Sequence, residues 1–186
     1  MEANSLLILA KMSRFTVVLS LLFNLSSFVC SAQLAPKGRG PSPDEKLIEA
    51  QVNRLVADWN THEFNHLDSY ATDDVDWVNL VGMWWKGRPE VKQAHQTGFD
   101  YFFKGVPFTR TGLTVRFLTS EVALAHLLCH VGSLFPPDGI DRGTNRTPET
   151  DNILTLVYVK RKGVWVLTAG QNTGINPKAT KLPTTE

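Results

Sequence analysis

Hydrophobic residues near the start of the predicted domain recur with the period of an α-helix. Between residues 44 and 61 they fall at every third or fourth position, at Ile48, Val52, Leu55, Val56 and Trp59. The two acidic residues that open this segment suit the first turn of a helix, because the helix dipole favours negative charge there. We therefore predict a first helix over 44–61, followed by a short second helix over 66–72.

The next segment combines two short strands with a third helix. Residues 75–82 form a predicted strand that ends in a turn at Gly82, and residues 83–87 form a second, shorter strand. Pro89 then suits the first turn of a helix, where the backbone N–H that proline lacks has no partner in any case. That third helix is predicted over 88–104.

Four β-rich runs fill the rest of the domain. They cover 108–119, 121–135, 150–161 and 164–174. Short turns join the first run to the second and the third to the fourth, and a long hydrophilic loop over 136–149 separates the two pairs. Helices followed by antiparallel strands predict an α+β fold, in which a curved antiparallel sheet wraps around the N-terminal helices.

The first 32 residues have the pattern of a secretory signal peptide. An apolar run over 15–29 follows a positively charged residue and ends before the small residues of Cys30-Ser31-Ala32. A retained membrane anchor is the alternative, but the run is short and is interrupted by serine and asparagine. We expect cleavage, a secreted or periplasmic protein and no stable membrane insertion after cleavage. Met12 is then the expected start of translation.

Processing would leave a single domain with balanced charge. The predicted organisation is a signal peptide over 1–32, a flexible leader over 33–43, one domain over 44–175 and a disordered tail over 176–186. The whole chain has 19 Lys plus Arg and 18 Asp plus Glu, and the signal peptide contains two of the basic residues and one of the acidic ones. The remaining charges cancel, so we expect no nucleic-acid partner.

Cys129 is the one cysteine outside the predicted signal peptide. An exported chain with one thiol has no internal disulfide, so its stability must come from its core. Because Cys129 lies in an apolar run, we interpret it as a buried and inert thiol, with a nucleophile as the alternative.

Residues 62–66 match the His-Glu-x-x-His pattern of zinc metalloproteases. On a helix this spacing places both histidines on one face, where they can bind zinc, and the glutamate can act as a general base. Here the pattern follows Asn60 and Thr61, which are weak helix formers at the predicted end of the first helix. Ser69 also stands where the extended protease pattern requires glycine. We interpret the match as coincidence and expect no metal.

Several segments resemble the SgcJ/EcaC family, a part of the nuclear transport factor 2-like (SnoaL-like, cystatin-like) superfamily. The matching segments are ADWNTHEF, YATDDVDWVNLVGMWWKGRPEVKQAH, VALAH and TDNILTLVYVKRKGVWVLTAGQNT, and they span residues 57–173. Members of the family typically continue with an arginine where this chain has Gly174, so a role for that arginine does not carry over.

The resemblance implies a conical fold whose curved sheet and helices enclose a pocket. In relatives this pocket holds small molecules, and an acid or a histidine often acts as the base. The resemblance also implies a homodimer formed through the outer face of the sheet. The family is often described as oxidoreductases, but this sequence has no glycine-rich strand-to-helix turn for a dinucleotide, and we expect no cofactor.

Polar residues on otherwise apolar faces are the candidates for ligand contact. His95 forms a helical row with Val91 and Phe99, so it faces inward, either as a base or hydrogen-bonding group or as a structural histidine. Asn79 alternates with Trp77 along a strand, where it either serves the pocket or pins the adjacent strand.

The later strands contribute two further polar candidates. Gln171 shares an alternating face with Trp165 and Leu167. His126 alternates with apolar residues on a face that lines the cavity or, as the alternative, faces a dimer interface or solvent. Trp85 adds aromatic surface that suits stacking on a flat ligand.

These faces predict one internal cavity between helices and sheet. Its candidate catalytic residue is His95, and its candidate binding residues are Trp59, Trp77, Asn79, Trp85, Phe99, His126 and Gln171. The predicted ligand is a small hydrophobic or cyclic molecule. The leading hypothesis is an exported small-molecule-binding protein, with cofactor-independent isomerase, cyclase or dehydratase chemistry as the best reaction class. The alternative is a non-catalytic binding or protein-interaction module.

Overall fold

The described part of the structure, which is a computed structural model, runs from residue 40 to residue 179. The predicted signal peptide over 1–32, residues 33–39 of the predicted leader and residues 180–186 of the predicted tail lie outside the described residues. Within residues 40–179, no helix has both the length and the apolar character needed to cross a membrane.

Helices and strands follow one another in the order predicted from the sequence. They are α1 (Pro43–Thr61), α2 (Leu67–Tyr70), β1 (Ala71–Val78), β2 (Trp84–Lys86), α3 (Gly87–Asp100), β3 (Phe108–Phe117), β4 (Val122–Val131), β5 (Thr150–Arg161) and β6 (Val164–Gly174). The strands form one curved, unclosed sheet with the helices packed against it, which confirms the predicted α+β class.

α1 begins at a capping box and ends at a left-handed residue. The Ser42 hydroxyl accepts a hydrogen bond from the Glu45 backbone N–H at 3.2 Å, and the Glu45 carboxylate accepts one from the Ser42 backbone N–H. Pro43 follows at the start of the helix, where proline is well tolerated. The helix ends at Thr61 because His62 adopts φ of 56° and takes the C-cap position.

The sheet order is β2-β1-β6-β5-β4-β3. The pairs from β3 to β6 are antiparallel, as predicted for successive runs joined by turns and a loop. β1, however, pairs with β6 in parallel, so the sheet is mixed and not purely antiparallel. The reason is topological: β1 enters the sheet beside the last strand, and helix α3 with four further strands lies between them in the chain.

Several element boundaries differ from the predicted ones, and two of these differences have clear local reasons. β1 begins at Ala71, four residues before the predicted start, because Ala71 already pairs with Leu167 of β6. α3 ends at Asp100, before the predicted end at 104, because the Phe103 N–H turns back to donate to Gly98 O at 2.8 Å.

β4 also ends earlier than predicted, at Val131 in place of residue 135. The Gly132 N–H donates to Pro107 O at 3.0 Å. A Cβ at Gly132 would stand 2.8 Å from the Pro107 side chain, which is closer than real contacts allow. The chain therefore leaves the sheet at this glycine, and Leu134 forms an isolated bridge with Thr147 that closes the base of the following loop.

Candidate functional site

A cavity of about 700 Å³ lies between α3, the β1–β2 hairpin and the end of β6. This volume falls within the range of ligand pockets in proteins, roughly 300–1,000 Å³. Six of the predicted site residues form part of its wall: Trp59, Trp77, Asn79, Trp85, His95 and Phe99. They come from α1, from both strands and the turn of the hairpin, and from α3, so the fold brings together residues that are distant in the chain.

The cavity opens to solvent. Four of its wall residues are exposed apolar side chains around the mouth, namely Leu80, Val81, Met83 and Phe102. Three of them, Leu80, Val81 and Met83, belong to the turn between β1 and β2. This apolar rim was not predicted, although the segment Leu80-Val81-Gly82-Met83 is an unusually hydrophobic turn.

His95 lies at the inner end of the cavity inside a shell of aromatic rings. Its ring stacks on Phe64, with centroids 4.3 Å apart and planes 8° apart. The rings of Trp77 and Trp85 meet it edge-on at 4.9 and 5.1 Å. The predicted helical row with Val91 and Phe99 is present, since all three residues are buried on one face of α3.

One hydrogen bond determines the tautomer of His95. Its Nδ1 lies 2.8 Å from Val91 O, and a carbonyl oxygen can only accept, so Nδ1 carries the proton. The other ring nitrogen, Nε2, then holds a lone pair. Because His95 is part of the cavity wall, Nε2 is the nitrogen that a ligand can approach.

His95 is neutral at physiological pH. Burial lowers the pKa of His95 to about 4, although its hydrogen bond to the Val91 carbonyl acts in the opposite direction. His95 forms its hydrogen bond with this backbone carbonyl, and no carboxylate among the described residues orients the ring. The ring is therefore a fixed hydrogen-bond acceptor and a weak base.

The cavity wall contains indole groups without hydrogen-bond partners. Trp59 meets Phe99, Phe103 and Phe108 at centroid distances of 5.3, 5.2 and 4.9 Å. The Nε1–H groups of Trp59 and Trp77 are both buried and find no acceptor within the described structure. Unpaired buried donors are costly, so a ligand oxygen or a water that accepts from them would stabilise the site.

Asn79 shapes the cavity mouth through the turn that it holds. Its Oδ1 accepts hydrogen bonds from the backbone N–H groups of Val81 at 3.0 Å and Met83 at 2.9 Å. Gly82 sits in this turn with φ of 83°, a conformation that glycine adopts without strain. Of the two roles considered for Asn79, the structure therefore shows one that pins the hairpin, while the residue also borders the cavity.

Gln171 does not line the cavity, and Asn172 takes its place. The predicted alternation along β6 is interrupted by a bulge, because Leu167 pairs with Tyr158 while Ala169 pairs with the preceding residue of β5. The extra residue reverses the faces of everything that follows. Gln171 is therefore exposed, and Asn172 lies on the cavity wall with a buried, unpaired Oδ1.

His126 does not line the cavity either. On β4 the buried residues are the inward ones, Ala123, Ala125, Leu127, Cys129 and Val131. His126 lies between them in the alternation and is exposed on the outer face of the sheet. The strand is thus turned so that its aliphatic and sulfur-bearing side chains face the helices, which was the alternative orientation for this residue.

The His-Glu-x-x-His segment lies in the joint between two helices. Because α1 ends at Thr61, His62 and His66 do not share a helical face. His66 Nδ1 instead lies 2.7 Å from Asp58 Oδ1, and the Tyr70 hydroxyl donates to Asp58 Oδ2 at 2.9 Å. Asp58 is a buried polar residue that the sequence analysis did not single out, although its position three residues after Leu55 continues the buried stripe of α1.

Cys129 is buried and its thiol faces the core. Burial raises the pKa of Cys129 to about 12, so its reactive thiolate form is absent at neutral pH. Its Sγ lies 3.7 Å from Asn152 O on the neighbouring strand. This environment fits an inert core residue and does not fit a nucleophile.

Solved structures share this fold and this arrangement of elements. An uncharacterized protein with a cystatin-like fold from Caulobacter vibrioides is 30% identical over 72% of this chain and 91% of that chain, with a TM-score of 0.66. A nuclear transport factor 2-like superfamily protein from Salmonella enterica is 12% identical over 76% of this chain and 96% of that chain, with a TM-score of 0.60. Hexachlorocyclohexane dehydrochlorinase LinA-type3 from Novosphingobium barchaimii is 15% identical over 72% of this chain and 87% of that chain, also with a TM-score of 0.60.

The chain belongs to the nuclear transport factor 2-like (cystatin-like) superfamily, which confirms the predicted resemblance at that level. No protein-family model and no curated protein matches the chain. Assignment to the SgcJ/EcaC family within the superfamily stays a prediction.

Proposed function

We propose that this protein binds a small apolar molecule in the cavity beside His95. The observation that carries the proposal is the cavity itself: about 700 Å³ bordered mainly by aromatic and aliphatic side chains. An empty apolar space of this size would forfeit packing contacts that stabilise the fold. Occupation by an apolar ligand restores those contacts, and the open mouth gives the ligand a route in.

The polar groups of the wall support a ligand site more than a structural void. The indole N–H groups of Trp59 and Trp77 and the Oδ1 of Asn172 are buried without partners, and all three residues border the cavity. A few polar groups set into an apolar wall are typical of pockets that orient a ligand.

A second candidate function is proton-transfer catalysis of the isomerase, cyclase or dehydratase type, without a cofactor. The observation that favours it is a histidine on the cavity wall, His95, whose Nε2 keeps its lone pair because Nδ1–H donates to Val91 O. A relative of the same fold is named as a dehydrochlorinase, but at 15% identity this likeness extends to the fold alone. Because the pKa of His95 is about 4 and its ring lacks a carboxylate partner, His95 is a weak base, and we place binding first.

Export belongs to the same proposal. The support is the apolar run over 15–29 with small residues after it, the pattern of a cleaved signal peptide. N-terminal sequencing of protein recovered from outside the producing cells should begin at or near Gln33. Material that still begins at Met1 or Met12 would contradict this part of the proposal.

A blocked-cavity variant tests the proposed function. Ala94 lies on α3 and borders the cavity, so Ala94→Trp should fill the space and weaken binding of the uncharged dye Nile red at least tenfold. Ala50→Trp is the matched control, because Ala50 is exposed on α1 and lies outside the cavity wall. Fluorescence titration gives the affinity, and thermal unfolding shows that both variants are folded. Equal binding by both variants, or no binding by the unsubstituted protein, would overturn the proposal.

A further inference from the structure

The charges along the cavity wall favour an uncharged ligand. The described wall residues include one carboxylate, Glu90, and no lysine or arginine. Glu90 Oε2 accepts a hydrogen bond from the Lys86 backbone N–H at 2.9 Å, so this carboxylate is held at the start of α3 near the mouth. A carboxylate or phosphate ligand would lose its hydration without meeting a cation, which is strongly unfavourable in an apolar site.

His95 offers the cavity a hydrogen-bond acceptor. Its Nε2 holds a lone pair, because Nδ1–H is already committed to Val91 O at 2.8 Å. Asn172 also borders the cavity, and its Oδ1 is buried without a partner in the described structure. The acceptor at His95 requires a donor from the ligand, and for an uncharged molecule made of carbon, hydrogen and oxygen that donor is a hydroxyl group.

The aromatic rings around His95 favour a flat ligand. Trp59, Trp77 and Trp85 all border the cavity, and Phe99 and Phe103 complete one side. Aromatic surfaces pair well with another ring in stacked or edge-on geometry, which adds to the gain from burying apolar area. The indole N–H groups of Trp59 and Trp77 are buried without acceptors in the described structure.

We infer that the ligand class of this cavity is an uncharged aromatic molecule bearing a hydroxyl group, whose O–H donates to His95 Nε2. The inference rests on the proposed function, since it concerns the ligand of the same cavity. It assigns His95 a role in selectivity: the ring accepts from the ligand and rejects molecules of equal size that lack a donor or carry a negative charge.

Three probes with the same ring system separate the inference from the proposed function. Naphthalene has no polar group, 2-naphthol adds one hydroxyl, and 2-naphthoate adds a carboxylate that is ionised at pH 7. Equilibrium dialysis against the protein after removal of the predicted signal peptide gives the three affinities. We expect 2-naphthol to bind about tenfold more tightly than naphthalene, the gain of roughly one neutral hydrogen bond, and at least about tenfold more tightly than 2-naphthoate.

A histidine variant tests the acceptor. His95→Phe keeps an aromatic ring against Phe64 and removes both ring nitrogens, so the preference for 2-naphthol over naphthalene should fall to about one. His126→Phe is the matched control, because His126 lies exposed on the outer face of the sheet, and it should keep the preference. A readout that needs no variant is the ¹⁵N resonance of His95 Nε2, which should move much further with 2-naphthol, the hydrogen-bond donor, than with naphthalene.

Each outcome separates the two claims. If none of the probes binds, the proposed function fails and the inference fails with it. If naphthalene binds but 2-naphthol binds no better, or 2-naphthoate binds as well as 2-naphthol, the cavity is a ligand site and the inferred ligand class is wrong. If His95→Phe keeps the preference for 2-naphthol over naphthalene, His95 is not the acceptor. If that variant does not fold, a His95 Nε2 resonance that 2-naphthol leaves unmoved leads to the same conclusion.

Discussion

At the scale of single residues, Trp77 and Gly170 depend on each other. A Cβ at Gly170 would stand 2.4 Å from two ring carbons of Trp77, a distance that real atoms do not adopt. Trp77 is almost fully buried and forms part of the cavity wall, so its ring has little room to move aside. The absence of a side chain at Gly170 is what lets the indole approach the strand.

Gly170→Ala should therefore lower the free energy of unfolding by about 1–3 kcal/mol, the usual cost of overpacking a core. Denaturant unfolding measures the change. Gly112→Ala is the control, because the nearest atom to its Cβ is 3.1 Å away and belongs to the mobile end of Leu128, which is exposed. The control should stay within about 0.5 kcal/mol of the unsubstituted protein. Similar losses in both variants would show that Trp77 is not the cause.

His95 should make the stability of the fold depend on pH. Its pKa is about 4 in the folded protein, against an ordinary value of 6.5 in an unfolded chain. Between these values the unfolded state binds more protons, so the stabilisation is complete above pH 6.5 and is lost as the pH falls towards 4.

Comparison with His95→Phe isolates this contribution from those of the other histidines. From pH 7 to pH 4.5 the unsubstituted protein should lose about 2–3 kcal/mol more stability than the variant, at 1.36 kcal/mol for each pH unit. Urea unfolding at both pH values gives the four free energies. Parallel losses in the two proteins would mean that His95 is not buried in its neutral form.

Residue-level reasoning from the sequence depends on an unbroken periodicity. His95 was placed inward by its spacing from Val91 and Phe99, and α3 keeps that spacing because its helix is regular there. Asp58 was not predicted to be buried, because burial of a carboxylate requires hydrogen-bond partners. Its partners, His66 and Tyr70, come close to it only in the folded chain.

At the scale of elements, the cap of α1 is the clearest link from sequence to structure. The Ser42 hydroxyl accepts a hydrogen bond from the Glu45 N–H at 3.2 Å, and the Glu45 carboxylate accepts one from the Ser42 backbone N–H. Ser42→Ala should lower the free energy of unfolding by about 1 kcal/mol. Ser120→Ala, in an exposed turn between β3 and β4, is the control and should change little. Unchanged stability in Ser42→Ala, measured by thermal unfolding, would show that this cap does not stabilise the fold.

The bulge in β6 marks where prediction from the sequence ends at this scale. Strict alternation placed Gln171 inward, whereas the extra residue between Leu167 and Ala169 puts Asn172 there. Nothing in the local sequence requires the bulge, because Thr168 is an ordinary strand residue. Its position follows from pairing with β5 and from the approach of Trp77 to Gly170, which are contacts across the sheet. The parallel pairing of β1 with β6 is a tertiary feature of the same kind.

At the scale of the whole molecule, the superfamily could be predicted because the order of helices and strands is itself distinctive. The position of the cavity follows from that order. Because β1 pairs with β6, the β1–β2 hairpin and the end of β6 lie side by side, and α3 forms the opposite wall. The mouth of the cavity could not be predicted, because it depends on the conformation of the β1–β2 turn, which the hydrogen bonds of Asn79 set in the folded chain.

We propose that a second copy of the chain covers the outer face of the sheet. The support is an exposed apolar side chain on this face, Leu128, which is 39% exposed and pairs with Ile153 on the next strand. Light scattering should give twice the mass of one chain, and Leu128→Lys should give a monomer. Leu47→Lys is the control, since Leu47 is 49% exposed on α1 and away from this face. A monomeric unsubstituted protein would contradict the proposal.

The tryptophan side chains offer the most direct test that the cavity holds a ligand. The chain has five tryptophans, each with an indole N–H signal in a ¹H–¹⁵N spectrum. Trp59, Trp77 and Trp85 belong to the cavity wall, whereas Trp84 and Trp165 do not. On titration with naphthalene we expect the three wall signals to move together and the other two to remain in place. Five unmoved signals, or shifts centred on Trp84 and Trp165, would contradict a ligand site beside His95.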